Sequence, residues 1–362
     1  MSERNPVYEP SETACMPKLT RRAVDACAFT SWFPKFKRIT PKAIVIPLET
    51  EFIEYLKADG VFLPDSEESD NSSEFDPNGP NEVDEDENSS SKLKYDFSEL
   101  TARVAEVIDN FEAVFPKLSW SSPQDAAWMV AGPPLRCQTP EDVYLLLKSS
   151  DFIAHDLEHA YDDCEEEDRY PCDRQSAPPK FSLVLKKWFS MPRSHEFRCF
   201  VKKNSLIVSQ RDTNFYDFLQ ESSFQNRFLG LITQFFDGKI RHEFTEADYV
   251  FDVYLDRTES KIFLIDFNPY AIRTDSLLFD WSEVHLLPES TGVPVLRVVS
   301  SEAEASQRMP KYSHNRYPKE VVALSDGASI ADFAQKWRDA LENVVAESRN
   351  PQASQPVEVP GR

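Results

Sequence analysis

The chain has 362 residues, a formal net charge of −22 and only eight glycines. That length suits one large domain or two lobes around a sizeable core, and the acidic balance excludes a nucleic-acid backbone as the main partner, since phosphate binding rests on clustered Lys and Arg. The six cysteines (Cys15, Cys27, Cys137, Cys164, Cys172, Cys199) form no C-x-x-C pair, which argues against both a zinc site and a disulfide framework. No apolar run has the length of a secretory signal or a membrane span, so a reduced, cytoplasmic setting without membrane contact is expected.

Residues 1–30 mix polar, proline and apolar types without a period and read as an N-terminal tail. Ser31-Trp-Phe-Pro-Lys-Phe36 is aromatic and interrupted by Pro34; it reads as a lead-in that packs on a core or binds a partner. Ala43-Ile-Val-Ile-Pro47 predicts a short buried strand. Thr50 to Asp59 predicts a helix with a stripe of Phe52, Ile53, Tyr55 and Leu56, ended by Gly60. Residues 65–91 hold eleven acids and no base, half of the net charge. So polar a run predicts a disordered, solvated insertion or a docking tail for a basic partner. Asp96, with Glu99 three residues on, predicts a capped helix that buries Leu100, Val104, Val107, Ile108 and Phe111. It should end near Phe115, because Pro116 disfavours helical geometry before it. Phe115 to Asp125 then reads as a polar loop with one base, Lys117. Thr139-Pro140 followed by Asp142 is a helix start, and residues 160–180 read as an acidic exposed loop.

From Phe181 the pattern turns to strands. Phe181-Ser-Leu-Val-Leu-Lys-Lys-Trp188 is β-prone. Glu196–Val201 and Leu206–Arg211 predict a hairpin around Lys203-Asn204. A two-residue loop places Glu196 opposite Arg211 and Arg198 opposite Ser209. Those four share one surface, while Phe197, Cys199 and Val201 face a core. Such a surface is either a solvated salt-bridge ladder or a phosphate clamp, in which arginine supplies a planar fork and Glu orients it. Phe215 to Phe236 predicts a helix. Asp252-Val-Tyr-Leu and Leu264-Ile-Asp-Phe-Asn-Pro269 predict a second hairpin with Arg257 to Lys261 as its loop. In that register Asp252 faces Asp266 about 5 Å away, and like charges there repel. Asn268 projects to the same face. The three are either surface polar residues or a hard-oxygen set suited to Mg²⁺ on a phosphate chain. The stretch from Glu302 to Asp326 is polar. Ile330, Phe333, Trp337, Leu341 and Val344 predict a last amphipathic helix before a disordered tail. No Walker lysine loop, dinucleotide glycine fingerprint or serine elbow is present. His195 reads as a strand-end surface residue.

Four stretches together resemble the cell division cycle protein 123 family. They are Phe115-Pro-Lys-Leu-Ser-Trp-Ser-Ser-Pro, Leu183-Val-Leu-Lys-Lys-Trp188, Glu196-Phe-Arg-Cys-Phe-Val201 with Ser209-Gln-Arg-Asp212, and Phe251-Asp-Val-Tyr with Leu264-Ile-Asp-Phe-Asn-Pro269. Thr274-Asp-Ser-Leu-Leu-Phe279 continues the likeness, which spans roughly Ser31 to Trp281. The resemblance implies an ATP-grasp-like α+β fold whose two lobes hold Mg-ATP. It also implies an assembly chaperone of eukaryotic translation initiation factor 2 that binds the gamma subunit, acting as a monomer when free. By position, Lys117, Lys186, Lys187 and Trp188 would line the nucleotide. Glu196, Arg198 and Arg211 would form a polar wall. Asp252, Asp266 and Asn268 would hold Mg²⁺. No residue is assigned a catalytic role. An ATP-grasp ligase that forms an acyl phosphate, or a binding scaffold with a decayed nucleotide site, would share the same cleft. The lobes are expected at 31–180 and 181–300, with a linker, helix and tail over 301–362.

Overall fold

The computed structural model describes residues 16–58, 95–130, 132–165, 180–258, 261–286 and 294–307. The acidic insertion at 65–91 and the amphipathic helix expected over 330–344 lie outside them. Two short helices come first. In α1 (Arg21–Ala26) the Thr20 hydroxyl caps the N-terminus by accepting from Ala23 N at 3.2 Å. In α2 (Phe29–Phe36) Pro34 sits inside the helix, where it removes one amide donor. Burial of Phe29, Trp32 and Phe36 at positions i, i+3 and i+7 outweighs that loss. Val24, Cys27 and Phe29 are buried although they fall in the stretch read as a tail.

The next elements build the first layer. β1 (Ala43–Pro47), α3 (Thr50–Lys57) and α4 (Ser98–Phe111) lead into β2 (Val114–Lys117), and α5 (Pro140–Lys148), α6 (Asp151–Glu158) and β3 (Ser182–Lys187) follow. The sheet is antiparallel with order β1-β3-β2. α4 stops at Phe111 because Glu112 takes a left-handed φ of 69° and turns the chain into β2. The stretch expected as a loop is therefore a strand at its start. Pro116 is tolerated there because β2 is an edge strand, where a missing amide leaves the ladder intact. The box expected at Asp96 is not formed: Phe97 is the N-cap, and the Asp96 carboxylate accepts from Ser98 N. The box at Thr139 and Asp142 is formed in full.

The second layer is larger. β4 (Glu196–Lys202) and β5 (Ser205–Gln210) pair through Lys203 and Asn204, at φ 45° and 71°. α7 (Ser222–Phe235) starts later than expected, because Asp217–Gln220 forms a separate tight turn. β6 (Tyr249–Leu255), β7 (Ile262–Pro269), α8 (Trp281–Leu286), β8 (Val295–Arg297) and α9 (Glu302–Gln307) complete the described chain. The sheet order is β7-β6-β4-β5-β8, with β5–β8 the parallel pair.

β3, expected to open the second lobe, is the central strand of the smaller sheet. Its faces are divided. Leu183 and Leu185 pack into the helical core with α3 to α6. Val184 packs into a second core with α2, α7 and the five-stranded sheet. Alternation then directs Lys186 to the same side as Val184, toward the larger sheet.

Candidate functional site

Five strands of the two sheets bring charged side chains to one junction. Asp252 on β6 and Asp266 on β7 are direct register partners, as their spacing predicts. Past that pair the register slips by one, since Val253 pairs with Leu264 and Ile265 is left as a bulge. Asp256 N donates to Lys261 O at 2.9 Å, which carries the shifted register one step past the Leu255–Ile262 pair. Arg198 on β4 lies directly opposite Asp252 on its other side. Its Nε and Nη2 donate to the two Asp252 oxygens at 2.8 Å each, and its Nη1 donates to Asp275 O at 2.8 Å. Arg211 Nη1 donates to Glu196 Oε2 at 3.0 Å. From the smaller sheet, Lys117 Nζ reaches Asp266 Oδ2 at 2.5 Å, and Lys186 Nζ reaches the bulged Ile265 O at 2.7 Å. The Phe29 ring lies beneath both ammonium groups, 5.5 Å from Lys117 and 4.9 Å from Lys186.

Burial makes these charges strong. Asp252 is 3% exposed. That burial alone would raise its pKa, but Arg198 and Arg211 together outweigh it and hold the carboxyl below its usual range. Burial raises the Glu196 carboxyl, with Arg211 opposing. Burial pulls the Lys186 amine down to about 7; Asp266 opposes the fall and Lys117 adds to it. Arg211 Nε is buried 3.4 Å from Asp252 Oδ2 yet has no hydrogen-bond acceptor among the described residues. A buried donor without an acceptor is costly, and a phosphate oxygen would supply one.

The predicted residues divide in two. Lys117, Lys186, Glu196, Arg198, Arg211, Asp252 and Asp266 are gathered at the junction. Asn268 stands two residues beyond Asp266, at a half-buried position paired with Val250. Lys187 follows Lys186 on the strand and so projects to the opposite face. Trp188 turns to another loop: its Nε1 donates to Pro134 O at 3.3 Å, and Arg136 lies 5.5 Å from its ring. Three participants had no sequence signal. Phe29 lies in an aperiodic stretch, and Ile265 and Asp275 act through backbone carbonyls.

Two carboxylates with a neighbouring amide suit a hard cation. Among the described residues, however, no cluster of three or more His, Cys, Asp or Glu is arranged to hold a metal by itself. Both Asp252 oxygens and one Asp266 oxygen already face bases. Asp252, Asp266 and Asn268 could hold a hard cation only beside an anion that would take up the bases now facing the carboxylates.

The fold and junction define an α+β protein of two facing sheets with a buried ionic cluster between them. A family model described as D123 matches residues 32–325. The translation initiation factor eIF2 assembly protein of Schizosaccharomyces pombe is 40% identical over 328 residues, covering 89% of this chain and 97% of that protein. Cell division cycle protein 123 of Aspergillus terreus is 32% identical over 418 residues, covering 96% and 97%. The solved structure of Cdc123 from Schizosaccharomyces pombe superposes with a TM-score of 0.63 at 37% identity, covering 78% of this chain and 99% of that one. The chain belongs to the D123 family, that of cell division cycle protein 123.

Proposed function

We propose that this chain is a cytoplasmic Mg-ATP-binding assembly chaperone of eukaryotic translation initiation factor 2, with an ATP-grasp-like cleft. In this reading it engages the gamma subunit and promotes joining of the heterotrimer. The relatives named eIF2 assembly protein support eIF2 as the partner. The observation that carries the nucleotide is the junction itself, where two lysines of one sheet meet two arginines and two aspartates of the other. Lys117, Lys186 and Arg211 would take phosphate oxygens, and Arg198 would keep Asp252 in place. Asp252, Asp266 and Asn268 would hold Mg²⁺, which supplies charge neutralisation on the phosphates when bound. A ligand gripped from both sheets stabilises their closed arrangement by mass action, so ATP here shapes a binding surface.

The test pairs calorimetry with capture. Wild type should bind Mg-ATP and retain the gamma subunit from a eukaryotic extract. Asp266→Asn should weaken Mg-dependent ATP binding at least tenfold, about 1.4 kcal/mol. Equal affinity in the variant would remove the metal assignment, and capture without the gamma subunit would remove the partner. Sustained ADP release driven by a carboxylate substrate would turn the reading to the ligase.

A further inference from the structure

The loop that follows Lys117 is strapped to α6 by two buried carboxylates. Asp156, 2% exposed on α6, accepts from Ser121 N at 2.7 Å and from Ser121 Oγ at 2.9 Å. Asp125, at the far end of the loop, accepts from Ser150 Oγ at 2.6 Å and from Asp151 N at 2.7 Å, at the start of α6. Between these anchors the loop is closed by Leu118 N donating to Ser121 O at 2.9 Å. Ser119 O in turn accepts from Phe29 N at 2.7 Å, and Trp120 Nε1 donates to Val24 O at 2.9 Å. The Phe29 backbone is thus fixed by the loop, and its ring carries Lys117 and Lys186.

We propose that Asp156 is a positioning residue for the anion site: through Ser121 it fixes the Leu118–Ser121 turn, hence Phe29 and the two lysines that rest on its ring. The relay joins hydrogen-bonded and stacked groups with no gap, from a helix that supplies no group to the ionic cluster itself. The cost of keeping Asp156 there fits this role. Burial pushes its carboxyl up to about 6 in spite of the two Ser121 bonds, with Lys117 and Arg273 also opposing the rise.

The inference rests on the nucleotide reading, and its test separates the two. Mg-ATP affinity by calorimetry and hydrogen–deuterium exchange are measured on the full chain for wild type, Asp156→Ala, Asp156→Asn and the remote core truncation Val284→Ala. Asp156→Ala should weaken Mg-ATP binding roughly tenfold or more, the scale of lost supporting contacts at built sites. It should also speed exchange in peptides covering residues 28–33 and 118–125. Asp156→Asn can make both Ser121 bonds, so it should restore affinity to within about threefold of wild type, with Ser121 Oγ now accepting. Val284→Ala should lower Tm while leaving affinity and those peptides unchanged. If wild type fails to bind Mg-ATP, the nucleotide reading falls and takes the inference with it. If wild type binds and Asp156→Ala binds equally well, or exchange over 28–33 is unmoved, the relay alone is overturned.

Discussion

Asp252 and Arg198 show how a strong local interaction can be hidden from a sequence reading. Counting along one hairpin placed Asp252 opposite Asp266, and the structure has that pairing. Arg198 was equally legible as a member of its own hairpin, opposite Ser209. What could not be read is that β4 lies beside β6, so that Arg198 faces Asp252 from a strand 54 residues away. Long-range strand order is set by which faces bury together, and neither hairpin encodes it alone. The pairing has a testable energetic sign. Arg198→Met removes both bonds to a carboxylate that stays buried, and breaking a buried pair in this way costs about 3–5 kcal/mol. In wild type the lowered Asp252 pKa contributes stability above the ordinary value of 3.8, and this is lost as pH falls below it. In the variant burial dominates, the pKa rises, and the carboxyl neutralises on folding as pH falls. Urea midpoints should therefore show the variant's deficit at pH 7 shrinking by pH 5. A deficit constant across that range would mean that Arg198 acts through packing and not through the charge of Asp252.

At the scale of elements, legibility followed the range of the physics. Local signals held where they were complete: the Thr139–Asp142 capping box and the two-residue turn of β4–β5 are in place, and the strand at Ala43–Pro47 forms, although of its residues only Ile46 is buried and Ile44 is exposed. Prolines misled twice, and in the same direction. Pro34 sits inside α2 and Pro116 inside β2, because aromatic burial in one case and an edge position in the other removed the expected penalty. The bulge at Ile265 left no sequence signal, yet it offers the carbonyl that Lys186 takes. The β4–β5 turn can be improved without touching the site. Lys203 and Asn204 both have left-handed φ, and Lys203 N donates to Asp248 Oδ1 through its backbone. Lys203→Asn keeps that bond and places there a residue that tolerates the left-handed region better. It should stabilise the chain by about 0.5 kcal/mol, read as a higher urea midpoint at unchanged slope. Mg-ATP affinity should not move, because the register that sets Arg198 and Arg211 is kept.

For the whole molecule, the α+β class and the two hairpins could be read in advance, while the seam between the sheets could not. Composition hid it, because a chain of net charge −22 gives no hint that its centre gathers four bases around three acids. That contrast yields opposite responses to salt. The surface excess repels itself, and screening relieves the repulsion. The Debye length falls from about 10 Å at 0.1 M to about 3 Å at 1 M salt, so added NaCl should raise Tm. An anionic ligand drawn to the cluster loses attraction under the same screening, so Mg-ATP affinity should fall over the same range. Thermal melts and calorimetry on one salt series would check both signs. A parallel loss of stability and affinity would mean that the ionic junction, and not the surface excess, governs the fold. Opposite slopes would place the long-range charge outside and the ligand-binding charge at the seam where Lys117 and Lys186 cross to β7.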